Sequence, residues 1–445
     1  MKKAGLAVLF LALLLAACGG GLSEEQTALL PYVSSIGDIE IPEGVRVVSL
    51  GESSHGAQEY HTMRREVFAE LMQKYGCRTF LLEAGFGACL KVNDYILGKT
   101  PEVTAREALQ ALESWVYQTA EFEDLLQWMH DYNQTAPETQ KIHFYGVDMR
   151  ESACAKAHLL SYVQQTAPDR AAAYTEMLAP LKNSSYEYPD EELTQARQAP
   201  VARALELIAA ELDAHAEQYR TKSGAHAFSI ARECVTVLQE YVLSLPMQQT
   251  GIEEDIPRLA ASCEQRDVFM ANRVETILRI EGAQMVFLTG HNMHVARRTE
   301  QSNGVPQVRT MGSELSDRLR DGYFAIGTAF CKGRITAIHY ELNGLRNFSL
   351  KETHPFIRLF ADLPGDSWYV ELPRVAADER LAPYLTQSHT FLDTGAVYSK
   401  AIDSKESPVS PRHPAVLGDS WDAMLIFKQT HPTQILSSLK AEEDT

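Results

Sequence analysis

The chain has little positive charge. Its 445 residues include 41 lysines and arginines against 59 aspartates and glutamates, which gives a formal net charge of −18. A surface with this balance repels polyanions, and the sequence contains no local basic patch that would offset it. We therefore predict that nucleic acids are not partners of this protein.

Cysteine is scarce and widely spaced. The chain has 7 cysteines and no Cys-x-x-Cys pair, so the sequence does not predict a zinc site built from thiolates. Apart from Cys18, the cysteines are scattered within apolar patterns and lack the dense spacing of a disulfide scaffold. We expect most of them to be buried thiols.

Several motifs of well-known enzyme classes are missing. The sequence contains no Gly-x-Ser-x-Gly elbow, so a nucleophilic serine is not predicted. It also lacks His-Glu-x-x-His, the helical zinc motif of metalloproteases. There is no internal repeat, heptad pattern or low-complexity tract, and hydrophobic residues make up 45% of the chain. These features indicate an ordinary globular protein.

The apolar run near the N-terminus is too short to span a bilayer. It covers residues 6–17, follows Lys2 and Lys3, and is typical of a signal peptide. Because residues 15–18 resemble a bacterial lipobox, we expect cleavage before Cys18 and attachment of lipid to its sulfur. The protein would then be an exported lipoprotein on the cell membrane or outer membrane. An ordinary secretory signal with a coincidental cysteine is the alternative.

Past the signal peptide, the pattern predicts an α/β fold with a mostly parallel central sheet flanked by helices. We expect residues 18–44 to form a tether and a first helix, and residues 45–445 to form the α/β domain. Helical spacing without a convincing strand over about 168–280 predicts an all-helical insertion. Alternating runs at 323–328 and 334–339, separated by Cys331-Lys332-Gly333, predict an antiparallel hairpin at the sheet edge.

Four strand-like apolar runs end in acids or histidines. Residues 47–50 lead to Glu52 and His55, 79–82 to Glu83, 142–147 to Asp148, and 285–288 to His291 and His294. Open α/β sheets bind their ligands beyond the carboxyl ends of the strands. We therefore expect these side chains to meet in one site.

His55 is the predicted general base, because an imidazole titrates close to neutral pH and can take a proton from water. Glu52 or Glu83 could hold the ring in the useful tautomer. Arg64 follows nine residues after His55 on the next predicted helix. It could stabilise an oxyanion or bind a substrate carbonyl, or it could form a salt bridge to Glu52 or Glu83.

His291 and His294 have two alternative roles. Together with a carboxylate or His55 they could bind zinc or manganese, since imidazole and carboxylate suit these ions. Alternatively, they could polarise the substrate carbonyl or protonate the departing alkoxide, in which case no cofactor is required.

The remaining candidates are predicted to contact substrate. They are Tyr60, Trp115 and Asp148, and we expect Tyr60 and His61 at the rim of the site.

The motifs together resemble the erythromycin esterase family. The resemblance rests on Gly51-Glu-x-x-His-Gly56, Arg64, Leu82-Glu83-Ala84, Tyr145-Gly-Val-Asp-Met149 and Gly290-His-Asn-x-His294, and continues through Arg266-Asp267, Thr310-Met311-Gly312 and Asp393-Thr-Gly-Ala396. These blocks span nearly the whole mature chain.

The resemblance implies hydrolysis of a small-molecule ester or lactone by activated water, without a covalent enzyme intermediate. His55 would be the base, Glu52 and Glu83 its supporting carboxylates, and Arg64, His291 and His294 would bind or polarise the substrate. A macrolide-like substrate, and with it antibiotic resistance, belongs to this expectation. A non-catalytic lipoprotein that binds a haem-like ligand and a metal-dependent hydrolase are the alternatives.

Overall fold

The computed structural model describes residues 21–445 except 113, 249–254, 302–305, 405, 406, 408, 437–441, 444 and 445. The predicted signal peptide and Cys18 lie outside the described residues, so the lipid anchor stays a prediction. No helix in the described part of the chain is long and apolar enough to cross a membrane.

One large sheet organises the fold. In the described residues the strands are β1 (Val47–Glu52), β2 (Thr79–Gly85), β3 (His143–Asp148), β4 (Val286–His291), β5 (Tyr323–His339), β6 (Leu345–Lys351), β7 (Ser367–Glu371), β8 (His389–Leu392), β9 (Val397–Tyr398), β10 (Arg412–Ala415), β11 (Ala423–Thr430) and β12 (Glu442–Glu443). Strands β3, β2, β4, β1 and β5 lie side by side in that order and are parallel. Strand β11 also pairs with β5 in parallel, whereas β6 and β7 add antiparallel pairs. The predicted α/β class, with a mostly parallel sheet and an antiparallel edge, is confirmed.

Helices flank the sheet. The described helices are α1 (Glu24–Leu29), α2 (Gln58–Tyr75), α3 (Phe86–Ile96), α4 (Ala105–Gln110), α5 (Ala120–Thr135), α6 (Ala153–Thr166), α7 (Pro168–Leu178), α8 (Gln195–Ala214), α9 (Ala216–Ser223), α10 (Ala225–Ser244), α11 (Ile256–Glu281), α12 (Asn292–Val295), α13 (Met311–Leu319), α14 (Pro355–Arg358), α15 (Leu372–Ala376), α16 (Ala382–Thr386) and α17 (Leu417–Ser420). Helices α6 to α11 fill the connection between β3 and β4, and its described residues hold no strand. The helical insertion therefore begins at Ala153, earlier than the predicted start near residue 168.

The central strands are apolar on both sides because each side packs against its own core. Val48, Phe80 and Phe287 belong to one buried cluster, whereas their neighbours Val47 and Leu81 belong to the other. A parallel strand covered on both faces needs an almost continuous apolar run. This requirement explains why the runs before Glu52, Glu83 and His291 were readable in the sequence.

The predicted hairpin of residues 323–328 and 334–339 is wrong. Both runs belong to the single strand β5, and Gly333 stays in register with Thr430 of β11. A Cβ at Gly333 would lie 2.1 Å from the Thr430 hydroxyl oxygen, so this glycine permits a close strand approach and is not part of a turn. The true turn joins β5 to β6 at Asn343-Gly344, where φ is 51° and 88°.

Most cysteines lie in the core, as predicted. Five of the six that are described are buried, and Cys263 on α11 is exposed. Burial raises the pKa of the Cys77 thiol to about 12, so this thiol stays protonated at neutral pH.

Candidate active site

Four neighbouring parallel strands bring the candidate residues together at their carboxyl ends. Glu52, His291, Glu83 and Asp148 lie at or near the carboxyl ends of β1, β4, β2 and β3, which are adjacent in the sheet. Glu52 and His291 are direct partners in the β1–β4 register. The structure therefore brings together the side chains that the strand ends were expected to contribute.

Glycines before these side chains allow the backbone to approach closely. A Cβ at Gly51 would lie 2.2 Å from Asn292 Oδ1, and one at Gly290 would lie 2.9 Å from Glu83 Oε2. Only glycine tolerates such proximity without a shift of its neighbours. Because Gly51 and Gly290 have no side chains, the ends of β1, β4 and β2 can pack closely together.

The Glu52 carboxylate connects His55 to Arg64. His55 Nδ1 lies 2.6 Å from Glu52 Oε1, and the Arg64 guanidinium donates to Glu52 Oε2. Burial alone would raise the pKa of Glu52, but Arg64 and His55 lower it to about 2. The ionised carboxylate accepts a hydrogen from Nδ1, so in neutral His55 the lone pair is on Nε2, the nitrogen that a general base needs.

Arg64 and His61 lie beneath the His55 turn. His61 Nε2 donates to the His55 carbonyl oxygen at 2.9 Å, and Arg64 donates to His61 Nδ1. Burial and the Arg64 charge lower the pKa of His61 to about 3, so its ring is neutral. Arg64 is only 2% exposed and forms the salt bridge to Glu52, one of its two predicted roles.

The rim positions predicted for Tyr60 and His61 are wrong, because both residues are buried. They lie on the inner face of α2, where the Tyr60 hydroxyl is 2.7 Å from the hydroxyl of Ser53. Trp115 is half-buried and packs against the core on the α2 side of the sheet. The neighbouring Tyr117 hydroxyl donates to the Glu83 carbonyl oxygen. The structure shows no contact of Tyr60 or Trp115 with the strand-end histidines in the described residues.

His291 forms a second histidine–carboxylate pair, with Asp393. His291 Nε2 lies 3.0 Å from Asp393 Oδ1. Burial alone would lower the pKa of His291, but the Asp393 charge raises it above its usual value. The loop carrying Asp393 is fixed to the His55 turn, since the backbone N–H of Thr394 donates to the Ser53 carbonyl oxygen at 2.8 Å. Residues distant in sequence thus favour a protonated His291.

His294 forms a third pair, with Asp267 of α11. His294 Nδ1 lies 2.7 Å from Asp267 Oδ1, while Arg266 Nη1 lies 2.9 Å from His294 Nε2. Glu83 Oε1 also lies 3.2 Å from His294 Nε2, so this nitrogen accepts from Arg266 when the ring is neutral and donates to Glu83 when the ring is protonated. A metal ion bound through this Nε2 would have to replace Arg266. Metal binding at the strand ends remains a prediction.

Glu83 and Asp148 hold Arg266 in position. The guanidinium donates to Glu83 Oε1 at 2.8 Å and to Asp148 Oδ2 at 2.7 Å. Glu83 Oε2 accepts the backbone N–H of His291 at 2.8 Å. Burial would raise the pKa of Glu83, but the charges of His294 and Arg266 keep it well below its usual range. Glu83 therefore supports His291, His294 and Arg266 directly, and Asp148 serves as an anchor for the arginine.

The rings of His55, His291 and His294 form a row beyond the carboxyl ends of the strands. The ring centroids of His55 and His291 are 5.1 Å apart, and those of His291 and His294 are 6.5 Å apart. Arg266, 12% exposed, borders a cleft of about 270 Å³ between the end of β3 and the helical insertion. Its lining includes Met149, Tyr186 and Leu259. Arg266 connects the cleft to the His294 end of the row, because it lines the cleft and contacts His294.

Three residues of the site, Arg266, Asp267 and Asp393, had no predicted role. Arg266 is the guanidinium beside the cleft, whereas Arg64 was the arginine predicted to bind a substrate carbonyl or stabilise an oxyanion. The adjacent pair Arg266-Asp267 and the Asp393-Thr-Gly stretch were visible as blocks of the family pattern. Their contacts with His294 and His291 could not be predicted, because these contacts depend on tertiary packing.

Comparison with known proteins supports the resemblance to the erythromycin esterase family. The erythromycin esterase family model matches residues 72–430. Erythromycin esterase type II of Escherichia coli is 24% identical over 328 residues, which cover 69% of this chain and 75% of that protein. Erythromycin esterase type I of the same organism is 20% identical, over 71% of this chain and 78% of its own.

Solved structures share the architecture. A Bacillus cereus protein superimposes with a TM-score of 0.77 at 19% identity, covering 94% of this chain and all of its own. A mutant of the erythromycin esterase EreC in an open conformation gives a TM-score of 0.63 at 16% identity, covering 87% of this chain and 91% of its own. The family model covers most of the sequence, and the chain belongs to the erythromycin esterase family of hydrolases.

Proposed function

We propose that this protein hydrolyses a carboxylic ester or lactone, with His55 as the base that activates water. The contact between Glu52 and His55 carries the proposal. A buried, ionised carboxylate 2.6 Å from Nδ1 fixes the tautomer whose Nε2 can accept a proton. Family membership supports the class of reaction, and the geometry supports the assignment of the base.

The reaction follows from these protonation states. His55 Nε2 takes a proton from water as the water oxygen attacks the acyl carbon, and the carbonyl electrons move onto the carbonyl oxygen. Protonated His291, favoured by Asp393, and the fixed charge of Arg266 stabilise the resulting oxyanion. When the oxyanion collapses, the bond from the acyl carbon to the alkoxide breaks. The alkoxide then receives the proton held by His55, which regenerates the base.

The cleft beside Arg266 has a lining of mixed polarity. Met149, Met247 and Leu259 supply apolar surface to the cleft, and Tyr186 and Arg150 supply polar groups. Such a mixture suits a ligand with an apolar ring system and hydroxyl groups. We propose a macrolide-like lactone as one substrate class, on the basis of the E. coli relatives, and smaller esters as the other.

The N-terminal sequence supports action outside the cytoplasm. Cys18 follows an apolar run and small residues, and three glycines come after it. We propose that lipid on Cys18 anchors the enzyme to a membrane, so that it meets esters or lactones before they enter the cytoplasm.

The test is a substrate panel of aryl esters and macrolide lactones. Protein lacking residues 1–20 is compared with His55→Ala and with His215→Ala, which removes an exposed histidine of the insertion. We expect hydrolysis by the wild type and by His215→Ala, and its loss in His55→Ala. Full activity in His55→Ala would eliminate His55 as the base. Stoichiometric haem binding without hydrolysis of any substrate would favour the ligand-binding alternative.

A further inference from the structure

Two histidines and a glutamate meet at the end of the sheet opposite the active site. They are His143, the first residue of β3, His226 near the start of α10, and Glu281, the last residue of α11. One ligand atom from each lies within 4.8 Å of the others. The cluster joins the sheet to two helices of the insertion.

One of the two distances within this cluster matches the spacing of metal ligands, and the other is a hydrogen bond that a metal ion would replace. Glu281 Oε1 lies 2.9 Å from His226 Nε2, and Glu281 Oε2 lies 3.4 Å from His143 Nδ1. Ligands about 2.0–2.2 Å from a tetrahedral zinc ion are separated by roughly 3.3–3.5 Å. The imidazole rings of His143 and His226 are nearly perpendicular, at 70°. Small rotations of the exposed His226 side chain would bring all three ligands to one ion.

One buried nitrogen atom of the cluster lacks a hydrogen-bond partner among the described residues. His143 Nδ1 is buried and has no hydrogen-bond partner in the described part of the chain, although the Glu281 carboxylate is nearby. A buried nitrogen of this kind usually finds a partner. Coordination to a metal would supply one and would also link the nitrogen to the carboxylate.

The surroundings of Glu281 also favour binding of a cation. The residue is at the C-terminal end of α11, where the helix dipole disfavours a negative side chain. The Tyr145 hydroxyl donates to Glu281 Oε1, which orients the carboxylate in the way that outer partners orient metal ligands. A positive ion would offset both the dipole and the carboxylate charge.

We propose that His143, His226 and Glu281 bind a divalent transition metal ion such as Zn²⁺. Two imidazoles and one carboxylate are a ligand set known for zinc, with a fourth position left to water. The ion ties the start of α10 and the end of α11 to β3. It lies about 16 Å from the active-site end of β3, since five residue steps of about 3.3 Å separate His143 from Asp148.

The experiment uses metal-free protein without a histidine tag, titrated with ZnCl₂ by calorimetry. His226→Gln removes a ligand from an exposed position, and His215→Gln is the matched control on the same insertion. We expect one zinc site in the wild type and in His215→Gln that is weakened in His226→Gln by at least about 10- to 100-fold, the loss found even when an outer partner is removed. Glu281→Gln should behave like His226→Gln.

Thermal unfolding gives a second readout. Zinc should raise the unfolding midpoint of the wild type and of His215→Gln, and should raise it much less in His226→Gln, because only a ligand of the folded state stabilises it. Zinc binding of equal affinity in His226→Gln and Glu281→Gln would mean that the ion binds elsewhere and would overturn the proposal. So would a wild type that binds zinc no more tightly than millimolar, which would leave a hydrogen-bonded cluster only.

Discussion

The substitution Glu52→Gln tests the core of the proposed mechanism. The Glu52 carboxylate is 2% exposed and bonds to both His55 and Arg64. The amide of glutamine keeps the shape but removes the charge, so it no longer fixes one tautomer of His55 and leaves Arg64 with an unpaired buried charge. In serine-protease triads the corresponding change lowers kcat about 10⁴-fold. We expect a loss of about 10³- to 10⁴-fold here.

The same substitution has a predicted cost in stability. Glu52 has a pKa of about 2 in the folded protein against an ordinary value of 4.5. Such a difference corresponds to about 3 kcal/mol of stability at neutral pH, at 1.36 kcal/mol for each tenfold change in the acid constant. Removing one partner of a buried ion pair typically costs about 3–5 kcal/mol, which is consistent with this figure.

The loss of stability caused by Glu52→Gln should become smaller as the pH falls. Because folding lowers the pKa of Glu52, its contribution is complete well above pH 4.5 and is lost as the pH falls through about 2. The stability difference between wild type and Glu52→Gln should therefore shrink by about 2 kcal/mol between pH 7 and pH 3. Urea unfolding at several pH values, followed by tryptophan fluorescence, measures this difference.

A matched control exists on helix α2, seven residues after Glu52. Glu59 contacts His431 with the same 2.6 Å distance between a carboxylate oxygen and Nδ1, but His431 is 58% exposed. We expect Glu59→Gln to cost no more than about 1 kcal/mol, as for other surface ion pairs, and to leave kcat unchanged. If Glu52→Gln kept kcat within tenfold of the wild type at a temperature where both are folded, the assigned role of Glu52 would be refuted.

Further predictions concern the rest of the site. Arg266→Met should lower kcat/KM by about 10²- to 10³-fold through loss of an oxyanion donor. Steady-state kinetics of the variant and the wild type measures this loss, and an unchanged kcat/KM would exclude Arg266 as an oxyanion donor. Asp393→Asn removes the charge that raises the pKa of His291, so the basic limb of the pH dependence of kcat/KM should move to lower pH; an unmoved limb would show that protonated His291 is not required. Leu259→Trp narrows the cleft, so hydrolysis of a macrolide should fall more than hydrolysis of a small aryl ester, and equal losses would mean that the cleft does not bind the substrate. Cys18→Ala should abolish fatty-acid labelling of the full-length protein in cells, whereas unlabelled wild type would contradict lipidation.

The parts of the fold that could be predicted are those controlled by local pattern. Strands buried on both faces produce continuous apolar runs, and a polar residue directly after such a run marks the carboxyl end of the strand. Glu52, Glu83 and His291 could be assigned in this way. The β5–β6 region could not, because Gly333 looks like a turn residue in sequence and its real function is to admit Thr430 of a strand almost a hundred residues later.

The parts of the site that could not be predicted are those set by long-range packing. Arg64 follows His55 closely and was the obvious guanidinium, yet α2 turns it inward beneath Glu52. Arg266 comes from the far end of the insertion and reaches Glu83 only because α11 packs against β3. Asp393 meets His291 through a loop with no regular periodicity. Sequence spacing contains no information about such contacts.

The most direct test of the central claim is hydrolysis of an ester or lactone by the purified protein, followed by mass spectrometry. Wild type and His55→Ala are compared at equal concentration, and both are first shown to unfold at similar temperatures. We predict that the wild type converts at least one lactone to a ring-opened product heavier by one water, or at least one ester to its acid and alcohol. His55→Ala should be at least about 10³-fold slower, within the range for loss of a general base. Equal rates for the two proteins would contradict the assignment of His55.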